Sequence, residues 1–192
     1  MDLRTREAIR YLGFGKHQVD IQTLQLIQES FEELEQLAEK KAVYEVYELL
    51  MKNESVQIGH LCIQSKKLYK NLESCNKVVV FAATLGTAVD RQLRKYEVLN
   101  IAKAVVWQAC AAAFLEEFCD EIQEEIRRKL EPNCSIKPRF SPGYGDFSIS
   151  YQDDILSMLN ATKRIGITLT DAKMMSPSKS VTALIGICDS KE

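Results

Sequence analysis

The stretch VVVFAATLGTAVDRQLRKY, residues 78–96, decides between two folds. Its first four residues, Val78-Val79-Val80-Phe81, form the continuous apolar run of a strand covered on both faces. Helical periodicity begins after Gly86, so the order is strand, glycine, helix. That order also opens nucleotide-binding folds, but one glycine is not G-x-G-x-x-G, and no repeated strand–helix–strand unit follows. The reading is therefore α+β, with a twisted, mainly antiparallel sheet and long helices packed against it.

Working outward toward the start, residues 3–12 read as a short helix ended by Gly13 and Gly15. Asp20 is expected to cap a longer helix, with apolar residues at Leu24, Ile27, Phe31, Leu34 and Leu37 forming one stripe. Glu29, Glu32, Glu33 and Glu35 then fall on an outer, solvated face rather than at a metal site. Residues 42–51 read as a strand carrying Val43, Tyr44, Val46 and Tyr47. A second strand is expected over 56–63, where Gly59 marks a bulge or a close approach, and a short helix over 64–72.

Toward the end, residues 97–130 read as one long helix or two nearly collinear ones. Its middle, residues 109–114, is nearly all small residues and lets a neighbouring element pack very close. Pro132 and Pro138 bracket an irregular connection. A short helix is expected over 153–159, and strands over 168–174 and 181–188 around a Ser176-Pro177-Ser178 turn. Residues 1–40 are expected to form a helical N-terminal region packed on a main domain, residues 41–192.

Composition excludes several classes. The 192 residues suffice for one sizeable core. Twenty-five basic and 27 acidic residues give a net charge of −2 without a dominant basic run, so no nucleic-acid surface is expected. Arg127-Arg128-Lys129 reads instead as charge complementing a helix C-terminus. No run reaches the roughly 18 apolar residues of a membrane span. The charged start, MDLRTREAIRYLGFGK, lacks the roughly 7–15-residue apolar core of a signal peptide, so a cytoplasmic location is expected. The six cysteines, Cys62, Cys75, Cys110, Cys119, Cys134 and Cys188, are widely spaced without C-x-x-C and read as reduced, mostly buried thiols.

Catalytic motifs are missing: no P-loop, G-x-S-x-G or H-E-x-x-H occurs, and the two histidines, His17 and His60, stand in structural or surface contexts. The stretch 139–180 is the remaining candidate, because Arg139 stands three residues ahead of a tight Pro142-Gly143-Tyr144 turn. A guanidinium is a planar, bidentate donor for a carboxylate. Gly143 and Gly145 allow backbone to approach a ligand, and Tyr144 offers an aromatic face. On pattern alone, a Pro-Gly turn with a surface arginine explains the same residues.

Arg139-x-x-Pro142-Gly143-Tyr144 resembles the S-adenosylmethionine-binding signature of the activation (reactivation) domain of cobalamin-dependent methionine synthase. The segments Ile165-Gly166-Ile167-Thr168-Leu169-Thr170, Met175-Ser176-Pro177 and Ser180-Val181 follow in the family's order and spacing. Ala82-Ala83-Thr84-Leu85-Gly86 resembles the stand-alone activation-subunit form. The resemblance implies S-adenosylmethionine as ligand and cobalamin met only on a partner methionine synthase module, since the family's cobalamin-ligating Asp-x-His-x-x-Gly is absent here. It implies a non-autonomous component of a methyltransferase system, with no catalytic residue of its own, in which flavodoxin or another donor supplies an electron for reductive methylation of cob(II)alamin. Arg139 would pair with the ligand's carboxylate, and the loop Pro142, Gly143, Tyr144 and Gly145 would hold the adenosyl part. Glu116, with Glu117 second, would be the family's ligand-facing glutamate. The alternatives are an S-adenosylmethionine-binding interaction or sensor protein, an activator of another corrinoid methyltransferase, and a conventional S-adenosylmethionine methyltransferase.

Overall fold

The computed structural model describes residues 2–14 and 18–189; Gly15 and His17 lie outside the described residues. Strand β4 (Lys77–Thr84) lies in a six-stranded sheet with β1 (Lys41–Lys52), β2 (Ser55–Ile58), β3 (Leu61–Gln64), β5 (Cys134–Ile136) and β8 (Ser180–Asp189). The strand order is β3-β2-β1-β4-β8-β5, and every neighbouring pair is antiparallel. A small separate hairpin joins β6 (Thr168–Leu169) and β7 (Met175–Ser176).

The apolar run of β4 is continuous because the sheet is covered on both sides. Val79, Phe81 and Ala83 point into one core; Val78, Val80 and Ala82 point into the other. The first core is filled by α1 (Leu3–Tyr11), α2 (Ile21–Leu37), α4 (Thr87–Leu99) and α5 (Ile101–Lys129), with Trp107 and Phe114 at its centre. The second is closed by α3 (Lys66–Asn71), α6 (Gln152–Met158) and α7 (Ala161–Ile165). The α+β architecture with an antiparallel sheet thus agrees with the sequence reading.

Capping explains most helix starts. Asp2, Asp20, Ser65 and Asn100 each accept, through a side-chain oxygen, a backbone N–H three residues on. Asn100 also sets where the long helical stretch divides: α4 runs through to Leu99, and extended backbone at Asn100 starts the 29-residue α5, about 44 Å long. The helix expected to begin at residue 97 is corrected accordingly. Against the small face of α5 pack α1 and α2.

Other readings are also corrected. Gly59, with φ +56°, is not a bulge but part of a hairpin turn that splits 56–63 into β2 and β3, and His60 sits in the same turn. The strand expected over 168–174 is only two residues long, because the chain turns back at Asp171–Lys173 into β7. Glu33 leaves the solvated face: it is half-buried and bonded to Lys103, Tyr96 and Gln92. Cys75 and Cys188 are joined as a disulfide across the ends of β4 and β8, where the Lys77–Ile187 register sets them side by side. Cys62 is exposed, Cys134 half-buried, and Cys110 and Cys119 are buried. No helix among the described residues is long and apolar enough to cross a membrane.

Candidate ligand-binding site

The connection from β5 back to the sheet positions Arg139. Lys137 N donates to Gly186 O at 2.8 Å, and Phe140 exchanges two backbone hydrogen bonds of 2.9 Å with Leu184. These bonds lay the segment along β8 and aim Arg139 at α5. There Glu116, Asp120 and Gln123 share one helix face, four and three residues apart. Arg139 Nη2 donates to Glu116 Oε2 at 2.8 Å, and Nη1 donates to Gln123 Oε1 at 3.1 Å and stands 2.7 Å from Asp120 Oδ1.

The guanidinium is largely buried, and burial alone would lower its pKa. The adjacent Asp120 carboxylate outweighs that effect and holds it above its ordinary value. Arg139 is thus a permanent cation at every pH the protein meets.

After Arg139 the chain makes a tight, cross-braced loop. Gly143 N donates to Phe147 O at 2.7 Å, and Phe147 N donates back to Tyr144 O at 3.0 Å. Gly143 and Gly145 both have positive φ, +93° and +60°, which is why glycine stands there. The aromatic rings of Phe140, Phe147 and Tyr151 pack in series beneath the loop, with centroids 6.2 and 5.7 Å apart. Asp146 ties the loop to α3: its carboxylate accepts from Ser65 Oγ at 2.5 Å, Lys66 N at 2.8 Å and Lys67 N at 3.2 Å. Those bonds hold its carboxyl below the ordinary value, with the Ser65 hydroxyl as the largest cause.

Between this loop, β8 and α5 lies a cleft of about 480 Å³ lined by Glu116, Asp120, Arg139, Pro142, Tyr144 and Gln152, among others. Of the residues expected from sequence, Arg139, Pro142, Tyr144 and Glu116 therefore meet at one cleft. Gly143 and Gly145 shape the loop without lining it. Glu117 points the other way, toward α1, 3.8 Å from Arg4, and burial lifts its carboxyl above the ordinary value.

Sequence reading missed Asp120 and Gln123, although their spacing from Glu116 gives the same helix face. It also missed Gln152 and Thr182, which come from distant segments without any local signal, and it read Met175 and Val181 only as positions of the family resemblance, not as site residues. The arrangement offers two carboxylates for a cation, one guanidinium for an anion and an aromatic-apolar wall. Among the described residues no cluster of histidine, cysteine or carboxylate groups is arranged for a metal ion.

The model of the family described as "Vitamin B12 dependent methionine synthase, activation domain" matches residues 35–191. Among solved structures, the chain resembles the crystal structure of the MetH reactivation domain bound to AdoHcy. The TM-score is 0.68 at 15% identity, covering 93% of this chain and 69% of that one. No curated protein matches the chain.

Proposed function

The chain belongs to the family of the vitamin B12-dependent methionine synthase activation domain, and from that premise we propose that it binds S-adenosylmethionine and acts as an activation subunit on a separate cobalamin-carrying methionine synthase module. The observation that carries the proposal is Arg139, held at the head of a small-molecule-sized cleft by carboxylates of α5 and followed by the Pro142–Tyr144 turn. The residues present suit the ligand. Arg139 can take its carboxylate, Glu116 and Asp120 can take its ammonium group and favour its sulfonium charge, and Pro142, Tyr144 and Met175 offer the apolar wall that a purine needs.

The corrin-bound cobalt of the partner would supply the methyl-accepting chemistry, with flavodoxin or another one-electron donor completing the reductive methylation. What this chain contributes is positioning: it binds the methyl donor, orients it at an open cleft and presents it to the partner. No general base is required of it.

A thermal-shift titration tests the ligand. S-adenosylmethionine raises the melting temperature, and Arg139→Ala removes the shift; unchanged melting of the wild-type protein at millimolar ligand would overturn the proposal. Repeating the titration with and without a cobalamin-loaded methionine synthase module tests the partner, which should tighten the apparent affinity.

A further inference from the structure

We propose that Gln152 recognises the nucleoside end of the ligand, donating a carboxamide N–H to an acceptor atom of the adenosyl group. The inference rests on the S-adenosylmethionine reading above and deepens it.

Gln152 opens α6, is only 4% exposed, and is one of few buried polar side chains among the described residues. It is nonetheless part of the cleft wall, beside Thr182 of β8. The Thr182 hydroxyl donates to Gln152 Oε1 at 2.5 Å. That is the one hydrogen bond its side chain makes among the described residues, and it fixes the carboxamide with its oxygen toward the strand. Nε2 and its two N–H donors are then without a protein partner at the cleft. The carboxamide is thus held in place through its oxygen while its nitrogen stays free to donate to a ligand atom in the cleft it lines.

Position on the strand says which end of the ligand. Arg139 immediately precedes Phe140, which is bridged to Leu184. Thr182 lies two residues from Leu184 on the same strand, about 7 Å along it. The cleft that takes a ligand carboxylate at Arg139 therefore also reaches Gln152. The two ends differ in chemistry as well. Arg139 is surrounded by Glu116 and Asp120; Gln152 is bonded to Thr182, and the rest of the lining includes the uncharged Pro142, Met175 and Val181. An uncharged, apolar-walled site with one free amide donor suits a purine nucleoside and not the charged amino-acid group.

Isothermal titration with S-adenosylmethionine and with 5′-methylthioadenosine tests this, because the second ligand keeps the nucleoside but has neither sulfonium charge nor carboxylate. Wild-type protein should bind both. Gln152→Met removes the donor, and Gln152→Glu removes it while keeping the oxygen that Thr182 needs. Each should weaken 5′-methylthioadenosine about tenfold, and the ligand-free melting of each variant shows how much of the fold it retains. If Gln152→Met does not fold, Gln152→Glu decides alone. Variant binding of 5′-methylthioadenosine within about twofold of wild type overturns the role of Gln152 and leaves the proposed function standing. Wild-type binding of S-adenosylmethionine without 5′-methylthioadenosine overturns it too. Failure of wild type to bind either ligand overturns both readings.

Discussion

Glu116 accepts from Arg139 at 2.8 Å one helical turn before Asp120, which stands 2.7 Å from the same guanidinium. Two carboxylates thus answer one cation before any ligand arrives, leaving the head of the cleft net negative. S-adenosylmethionine carries one positive charge more than S-adenosylhomocysteine and should profit more from that excess. Glu116→Gln with Asp120→Asn should weaken S-adenosylmethionine by roughly 1.5–3 kcal/mol and S-adenosylhomocysteine by less. Both carboxylates are substantially exposed but Arg139 is largely buried, so losing both charges should also lower ligand-free stability, by about 1–3 kcal/mol. Calorimetric titration of both ligands, with a denaturant curve for each protein, checks the pair of expectations.

The Asp146 cap couples the ligand loop to α3, so its loss should be felt in two places. Asp146→Asn should raise hydrogen exchange at the Lys66 and Lys67 amides and at the Gly143–Gly145 loop together, and should weaken S-adenosylmethionine binding. The pH dependence has a definite sign. The folded Asp146 carboxyl is held below its ordinary value, so the cap contributes fully above the ordinary carboxylate range and is lost as pH falls through the lowered folded value. Lys66 and Lys67 protection should therefore survive mild acidification in the wild type and collapse below it. In Asp146→Asn the amides should show no such step.

Gly86 turns β4 into α4 with φ +82° and ψ 171°, a combination reserved to glycine. A Cβ there would also lie 2.9 Å from Glu39 Cβ. Gly86→Ala should destabilise the fold by about 1–3 kcal/mol in urea unfolding. Gly13→Ala is the control, since Gly13 also has positive φ but nothing within 4 Å of the added carbon; it should cost about 1 kcal/mol or less.

Gly86 also shows what could be read in advance. The strand–glycine–helix junction, the Asp20 cap and the apolar stripe of α2 are local signals, written within a few residues; the structure follows the first two, and buries the stripe at Ile27, Phe31 and Leu34 while Leu24 and Leu37 at its ends stay exposed. The same holds for Arg139 and Pro142-Gly143-Tyr144, whose turn is encoded by its own residues. What stayed hidden depends on partners far along the chain. Gln152 gains its meaning from Thr182, 30 residues on, and Cys75 finds Cys188 across 113 residues. Three-residue β5 carries too little pattern to announce itself, and it exists because β8 offers an edge. Asp120 and Gln123 were legible in principle: helical spacing from Glu116 gives them, once the glutamate is known to face a site.

The placement of β8 between β4 and β5 has a consequence for how binding competence arises during synthesis. The strand supplies Val181 and Thr182 to the cleft and anchors the Arg139 segment through Leu184 and Gly186. A growing chain that has already made α5 and the Arg139 loop therefore has neither a finished sheet nor a finished cleft. Both are completed when residues 180–189 insert. Ligand uptake by nascent or truncated chains would then report insertion of this one strand, in step with cooperative folding of the whole molecule and never ahead of it.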